Sequence, residues 1–429
     1  MSAPLRIGVA GLGTVGTGVV KLLLANHAAI AERCGREIAL SAVSDLDPGR
    51  EHGINLDSVQ WCAATDFADE ETVDVVVELI GGEDGPAKAL VESALAAGKP
   101  VVTANKAMIA HHGNDLAALA ERHGVPLLFE AAVAGGIPIL KALRESLAAN
   151  EYSRVYGILN GTCNYILTKM EDSGSDFGDV LAEAQALGYA EADPAFDVEG
   201  TDSAHKIAIL ASIALGRAID FAAVHIEGIR HVSAADIAYA SELGYRIKLL
   251  GIAQLTDHGV EQRVHPCMVP LASPIAHVEG VYNAVVAEGD FVGRTVFEGQ
   301  GAGAGATASA VVGDLMNIAR GHHGPPLGVS AADFRALDTA PIERHVGPYY
   351  VRMTVIDRPG VLAEVAAVFR DHAVSIESVL QPARSPGEAV PLIMTMHDTE
   401  EAGMRAALAE VAKLDAALEL PCMIRIEHL

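Results

Sequence analysis

Short apolar runs and longer amphipathic stretches alternate through the first third of the chain. RIGVAGL at 6–12 has the length and composition of a buried strand, as do IALSAVSD (38–45), VDVVVELIG (73–81), PVVTAN (100–105) and VPLLFEAAV (125–133). Between them apolar residues recur at i, i+3 and i+4, which predicts helices. These cover TGVVKLLLANHAAIAERC (17–34), 86–99 with Pro86 at its start and Gly98 at its end, and DLAALAERHG (115–124). Strands separated by helices predict an α/β fold over 1–136, a doubly wound parallel sheet of the Rossmann type.

The rhythm changes near Ile137. Helical patterns over 137–149, 178–187 and 201–215 are mixed with strand patterns YSRVYGIL, RIKLLGIAQL and NAVVAEG. This predicts a second, α+β domain over 137–320. GAGAGATASAVVGDLMNIAR (301–320) is a glycine-rich turn entering a helix, expected to complete the first domain. Residues 321–347, rich in Gly, Pro and His, read as a linker. From 348 to 429 the order is βαββαβ, which predicts a ferredoxin-like domain.

Composition narrows the function classes. The 429 residues carry a formal charge of −26 and no Lys/Arg-rich run, so nucleic acid is not an expected partner. No apolar segment is long enough for a bilayer, so no membrane is expected either. MSAPLRIGVAGLG lacks the basic start and long apolar run of a secretory signal. Five scattered cysteines without a CxxC read as reduced thiols of a cytoplasmic protein.

GLGTVG, from Gly11 through Gly13, Thr14 and Val15 to Gly16, lies between the first strand and the first helix. In that context Gly11 makes the tight turn, Gly13 admits a pyrophosphate, and Gly16 packs helix on sheet. Helix N-terminal amides then face the phosphates of a dinucleotide. After the second strand, Asp45 is the candidate ribose binder; a solvated loop acid is the competing reading. A carboxylate there repels a 2′-phosphate and favours NAD, whereas Arg50 leaves NADP open.

EADPAFDVEGTDSAHK (191–206) sets five carboxylates before a lysine and an apolar helix. Asp202 and Lys206, four apart, share a helix face, and Asp202 sits near the helix's positive end. The bland reading is a solvated helix start with an i,i+4 ion pair. Glu130 closes a strand before a Gly-Gly turn; turn carbonyls with one carboxylate suit a hard cation, and the alternative is a buried acid bonded to backbone.

Taken together, GLGTVG, TANKAMIA, FEAAVAGGIPIL, GILNGTCNYIL, the 191–206 stretch, GQGAGAGATASAVVGDL and DRPGVLAEVAAVF resemble, in that order, the homoserine dehydrogenase family. The likeness is to the monofunctional kind with a C-terminal ACT domain, because no kinase-like region precedes the glycine loop. The resemblance implies reversible NAD(P)-dependent oxidation of L-homoserine to L-aspartate 4-semialdehyde in threonine, methionine and isoleucine biosynthesis. It implies Lys206 as acid/base, Lys106 near nicotinamide and substrate, and Asp202, Glu191, Thr162 and Tyr189 as substrate contacts. It places Gly188 and Gly303 near the cofactor. It implies a sodium ion at Glu130 and the carbonyls of Val133, Gly135 and Ile137. It also implies a homodimer or homotetramer, and an ACT loop at Asp357–Gly360 that binds a small amino acid, L-threonine above all. Ala373, where many ACT domains have Gly, could crowd that pocket. Three rivals stay open at this point: another NAD(P)-dependent amino- or hydroxy-acid dehydrogenase, a non-catalytic amino-acid sensor, and an aspartate-semialdehyde dehydrogenase using Cys163 as nucleophile.

Overall fold

The computed structural model describes residues 3–49, 51–381 and 385–429. The strands β1 (Leu5–Ala10), β2 (Ile38–Ser44), β3 (Gln60–Trp61), β4 (Val75–Glu78), β5 (Val101–Thr103) and β6 (Leu127–Leu128) form one parallel sheet. Its order, β3-β2-β1-β4-β5-β6, is that of a doubly wound fold. The central strands are almost wholly buried, which is why they read as unbroken apolar runs.

Two helices differ from expectation. The predicted 17–34 helix is a bent pair, α1 (Thr14–Ala25) and α2 (His27–Cys34), turned by 78° at Asn26. Asn competes for backbone hydrogen bonds and is a poor helix interior residue, and beyond it only Ile30 is buried, so little packing keeps the helix straight. After α3 (Pro86–Ala96), α4 (Lys106–His123) starts nine residues before the predicted 115. A polar stretch, His111–Asn114, separates its apolar first turn from the pattern that begins at 115. Asn105 caps it, the side chain accepting from the Met108 amide at 3.1 Å.

The second region contains helices α5 (Ile139–Lys141), α6 (Gly161–Ser173), α7 (Phe177–Ala186), α8 (Ala195–Val198), α9 (Thr201–Leu215) and α10 (Ala234–Glu242). Its strands are β7 (Tyr152–Ile158), β8 (His225–Ile226), β9 (Tyr245–Thr256), β10 (Gly259–Pro270), β11 (Tyr282–Gly289) and β12 (Gly293–Gln300). Helix α11 (Ala304–Arg320) returns to pack on α1, where a Cβ on Gly18 would stand 2.8 Å from the Ala304 carbonyl oxygen. The C-terminal region is β13 (Val346–Ile356), α12 (Val361–Asp371), β14 (Ile376–Leu380), β15 (Ala389–Glu400), α13 (Glu401–Val411) and β16 (Cys422–Ile426).

These strands make a single ten-stranded sheet, β12-β11-β7-β9-β10-β16-β13-β15-β14, with β8 beside β10. The last four positions have the ferredoxin-like order. The junction is parallel pairing of β10 with β16 through Cys267–Arg425 and Met268–Ile426. Tyr350, Ile393, Ile424 and Ile426 join the apolar core of the second region. The C-terminal region is therefore continuous with its neighbour in both sheet and core. Ala373 adopts a left-handed backbone (φ +58°), but it is exposed and does not line the cavity beside Asp357–Gly360. Among the described residues, no single helix is long and apolar enough to cross a membrane.

A buried acid pair fastens α11 to the end of the first region. Asp314 accepts the Glu130 amide at 2.9 Å, and Glu130 accepts the Leu140 and Lys141 amides at 2.9 and 2.7 Å. Burial pushes Glu130 up to about 7, with help from Asp314, and burial pushes Asp314 up to about 6. A carboxyl whose folded value exceeds its unfolded one destabilises the fold as pH rises between the two, here from about 4 to 7. Asp314→Asn keeps the acceptor and removes the charge. Relative to wild type, its unfolding free energy from urea titration should rise by on the order of 1–3 kcal/mol between pH 4 and pH 8. An equal difference at both pH values would contradict the assignment.

Candidate active site

The β1–α1 turn is built around its glycines. Gly11 has φ +97°, and a Cβ there would stand 2.5 Å from the Leu79 carbonyl oxygen. A Cβ on Gly16 would stand 1.9 Å from the Gly11 carbonyl oxygen, so both positions are fixed by packing of the turn itself. Gly13 differs: nothing lies within 4 Å of its missing Cβ. It opens, with Thr14, onto a crevice of about 300 Å³ that Leu12, Thr17, Lys21 and His52 also line. Val15 follows in the first turn of α1. This surface fits a dinucleotide pyrophosphate at a helix N-terminus.

Asp45 follows β2 and binds the glycine loop itself. Its Oδ2 accepts the Leu12 amide at 2.6 Å and its Oδ1 accepts the Asp47 amide at 3.1 Å. Burial opposes its charge, but these amides outweigh it and hold the carboxyl below its ordinary value. Arg50 lies outside the described residues.

A second cleft, of about 480 Å³, lies where the C-terminal end of β5 meets α6, α9 and the 300–303 loop. Lys106 reaches it from the first turn of α4. Its backbone is held by a chain of hydrogen bonds: buried Glu78 accepts the Thr103 hydroxyl at 2.5 Å, and Thr103 accepts the Asn105 amide at 3.0 Å. Gly200, at φ +89°, starts α9 and puts Asp202 in its first turn.

Asp202 is the centre of the cleft. Its Oδ1 lies 2.7 Å from Lys106 Nζ and its Oδ2 lies 2.8 Å from Lys206 Nζ. Asn160, which caps α6, donates to Asp202 Oδ2 and Asp197 Oδ1, each at 2.8 Å. Lys206 also donates to the Leu159 carbonyl at 2.6 Å. Burial opposes the Asp202 charge, but the two ammoniums hold it well below the carboxylate range. Burial pulls the Lys206 ammonium below the lysine range despite Asp202, and Lys106 pulls the same way. Lys106 moves the other way: Asp202, Asp197 and Glu191 outweigh its burial and raise it. Burial and the Asp202 charge raise Asp197. The result is a buried lysine with a weakened hold on its proton, beside a carboxylate that stays ionised.

Thr162, Gly188, Tyr189 and Gly303 line the same cleft. Thr162 donates to the Tyr189 carbonyl at 2.8 Å; Gly188 and Gly303 both have positive φ, and nothing lies within 4 Å of either missing Cβ. Glu191 does not line it; it is exposed and reaches the site through its charge on Lys106. Sequence reasoning missed Glu78, Asn160 and Asn283, the last buried in the cleft wall against Gly301. Glu78 had a signal, an acid ending an apolar run; the other two had only the NGT and YNAV contexts. Burial pushes the Cys163 thiol far up, and it donates to the Asp197 carbonyl, which removes it as a thiolate nucleophile.

The proposed cation ligands lie outside this cleft. Both Glu130 carboxylate oxygens are taken by the Leu140 and Lys141 amides, and the Ile137 carbonyl accepts the Ile139 amide. Gly135 packs on the 300–303 loop, its missing Cβ 2.4 Å from the Gly301 carbonyl oxygen, with Val133 buried beside it. At Glu130, Val133, Gly135 and Ile137 these contacts describe a backbone-bonded acid beside a loop contact. Among the described residues, no group of three or more His, Cys, Asp or Glu could hold a metal ion.

Known proteins give the same reading along the whole chain. Family models described as homoserine dehydrogenase, its NAD binding domain and the ACT domain match residues 138–316, 11–130 and 349–416. The homoserine dehydrogenase of Neisseria gonorrhoeae is 45% identical over 432 residues, 99% of each chain. The crystal structure of a homoserine dehydrogenase from Thiobacillus denitrificans superposes with a TM-score of 0.93 at 44% identity, covering 99% of this chain and 98% of that one. A hyperthermophilic archaeal homoserine dehydrogenase in complex with NADPH has a TM-score of 0.64 at 25% identity, over 75% of this chain and 99% of its own. With its two-lysine, one-carboxylate cleft beside a dinucleotide crevice, the chain belongs to the homoserine dehydrogenase family and is an NAD(P)-dependent oxidoreductase acting on a CH–OH group.

Proposed function

We propose that the Lys106–Asp202–Lys206 cluster carries the chemistry of the family reaction, the reversible oxidation of L-homoserine to L-aspartate 4-semialdehyde. The observation that supports it most is the buried Lys206, set 2.8 Å from an ionised carboxylate and pulled below the lysine range by burial. Bound NAD(P)⁺ supplies the hydride acceptor. In the oxidation direction, neutral Lys206 takes the proton of the reacting hydroxyl; in reduction its ammonium returns that proton to the forming alkoxide. Lys106 places a second positive charge beside the oxygen where negative charge develops. Asp202, with Asp197, supplies the anionic side for the substrate ammonium, Glu191 adds negative charge from outside the cleft, and Thr162 and Tyr189 form the remaining wall. Gly13, Thr14, Val15, Gly188 and Gly303 leave room for the cofactor, with Gly11 and Gly16 shaping the loop.

The reading extends to three finer points. Asp45, ionised at the glycine loop, supports use of NAD at least as well as NADP, unlike the NADPH carried by the archaeal relative. Five free cysteines support a cytoplasmic setting, and exposed Phe291 and Val296, beside and on edge strand β12, support a homodimer or homotetramer. A small cavity lined by Asp357, Arg358, Gly360 and Gln381, at the N-terminus of α12, supports L-threonine as effector.

Lys206→Ala should lower kcat by roughly 10²–10⁴-fold with cofactor affinity nearly unchanged. Wild-type kcat for homoserine oxidation should rise with pH through an apparent pKa below the ordinary lysine value of about 10.4. Full turnover of the variant would overturn the role of Lys206. For the cofactor, kcat/KM with NAD should equal or exceed that with NADP; a strong NADP preference would refute the Asp45 reading. Millimolar threonine should lower the rate and raise the thermal midpoint, as ligand binding to the folded state requires; a full-length enzyme unmoved in both would refute threonine regulation. Truncation at 340 is not an equivalent test, because it removes β16 from the catalytic sheet.

A further inference from the structure

Arg425, at the end of β16, is 1% exposed and carries two charge-assisted forks. Toward its own domain, Nε and Nη2 donate to Glu401 at 2.9 and 2.5 Å. Toward the second region, Nη1 and Nη2 donate to Glu227 at 2.8 and 3.0 Å. Glu227 also takes Arg405 Nη2 at 2.9 Å and His225 Nε2 at 2.8 Å. Three cationic or polar groups, two of them from the C-terminal domain, thus converge on one carboxylate.

The backbone beyond Glu227 leads to the active site. The Glu227 amide donates to the Val264 carbonyl at 2.7 Å, and the Ile229 amide donates to the Val198 carbonyl at 2.9 Å. Between them, Gly228 lies so close to the α8–α9 turn that a Cβ would stand 2.3 Å from the Val198 carbonyl oxygen and 2.6 Å from Glu199 Cα. A Cβ on Gly200, which starts α9, would meet Ile226 at 3.2 Å and the Glu227 carbonyl oxygen at 3.4 Å. Residues 226–229 therefore wall the turn that has Asp197 on one side and Asp202 and Lys206 on the other.

We propose that Glu227 is a positioning residue for the dehydrogenase reaction: clamped by Arg425 and Arg405, it presses the 227–229 turn against the start of α9 and so fixes Asp202 and Lys206. The C-terminal domain is then a structural part of the active site. This rests on the assignment of Asp202 and Lys206 above.

The test uses full-length Glu227→Gln, Arg425→Lys and Gly228→Ala, with Lys206→Ala measured alongside. Glu227→Gln should lower kcat/KM for homoserine at least tenfold while the NAD dissociation constant stays within twofold. Its pH–rate limb for oxidation should move to lower pH, because a displaced Asp202 supports the Lys206 ammonium less. Arg425→Lys, which keeps the charge but loses the forks, should give an intermediate defect. Gly228→Ala should reproduce the kinetic defect with the ion cluster intact, and it carries the test if Glu227→Gln does not fold. Wild-type kcat/KM and pH profile in Gly228→Ala, or in a folded Glu227→Gln, would overturn the proposal when Lys206→Ala is inactive. Full activity of Lys206→Ala would instead overturn the site assignment.

Discussion

One buried carboxylate shared by two lysines is the constraint on which the active site depends. Asp202 is 2% exposed, and water does little to solvate it. Leaving such a charge unpaired is costly, so its partners must be placed accurately. Lys106 and Lys206 supply countercharge from opposite sides, Asn160 supplies a hydrogen bond, and the start of α9 supplies the positive end of a helix. The same arrangement leaves the two lysines unequal. Lys106 faces more acids and is raised; Lys206 is more deeply buried and is lowered. In the proposed mechanism, that asymmetry keeps Lys106 charged while Lys206 exchanges a proton.

The rest of the fold brings these groups together. Lys106 comes from the parallel sheet, through the Glu78–Thr103–Asn105 chain at the strand ends. Asp202 and Lys206 come from α9, which lies on the larger sheet. Asn160 joins the two carboxylates from the end of β7. The larger sheet does not stop at the catalytic region, because β16 pairs with β10 and buries Arg263, Glu261 and Glu427 in the seam. Stability of the C-terminal domain and geometry of the cleft are consequently parts of one packing problem.

What the sequence reveals follows how local each interaction is. GLGTVG is readable because turn, crevice and helix start lie within six residues. The Asp202–Lys206 pair is readable because four residues bring them to one helix face. The strand β10 was not readable: Glu261, Gln262, Arg263 and His265 are buried in it, a pattern that contradicts any apolar template. Their partners include Glu427, which is 164 residues from Arg263. The Glu227–Arg425 clamp spans 198 residues and was equally hidden. Asn160 and Glu78 fall between these cases, adjacent to recognisable motifs but with roles that only the folded contacts define.

The central claim is that Asp202 and Lys206 act as one unit. A double-mutant cycle on kcat/KM for homoserine, using Asp202→Asn, Lys206→Met and the double variant, tests it most directly. Residues acting together give strongly non-additive losses. The account predicts a double variant no slower than the worse single variant within about threefold. Losses that multiply across the two substitutions would show two independent contributions and contradict it.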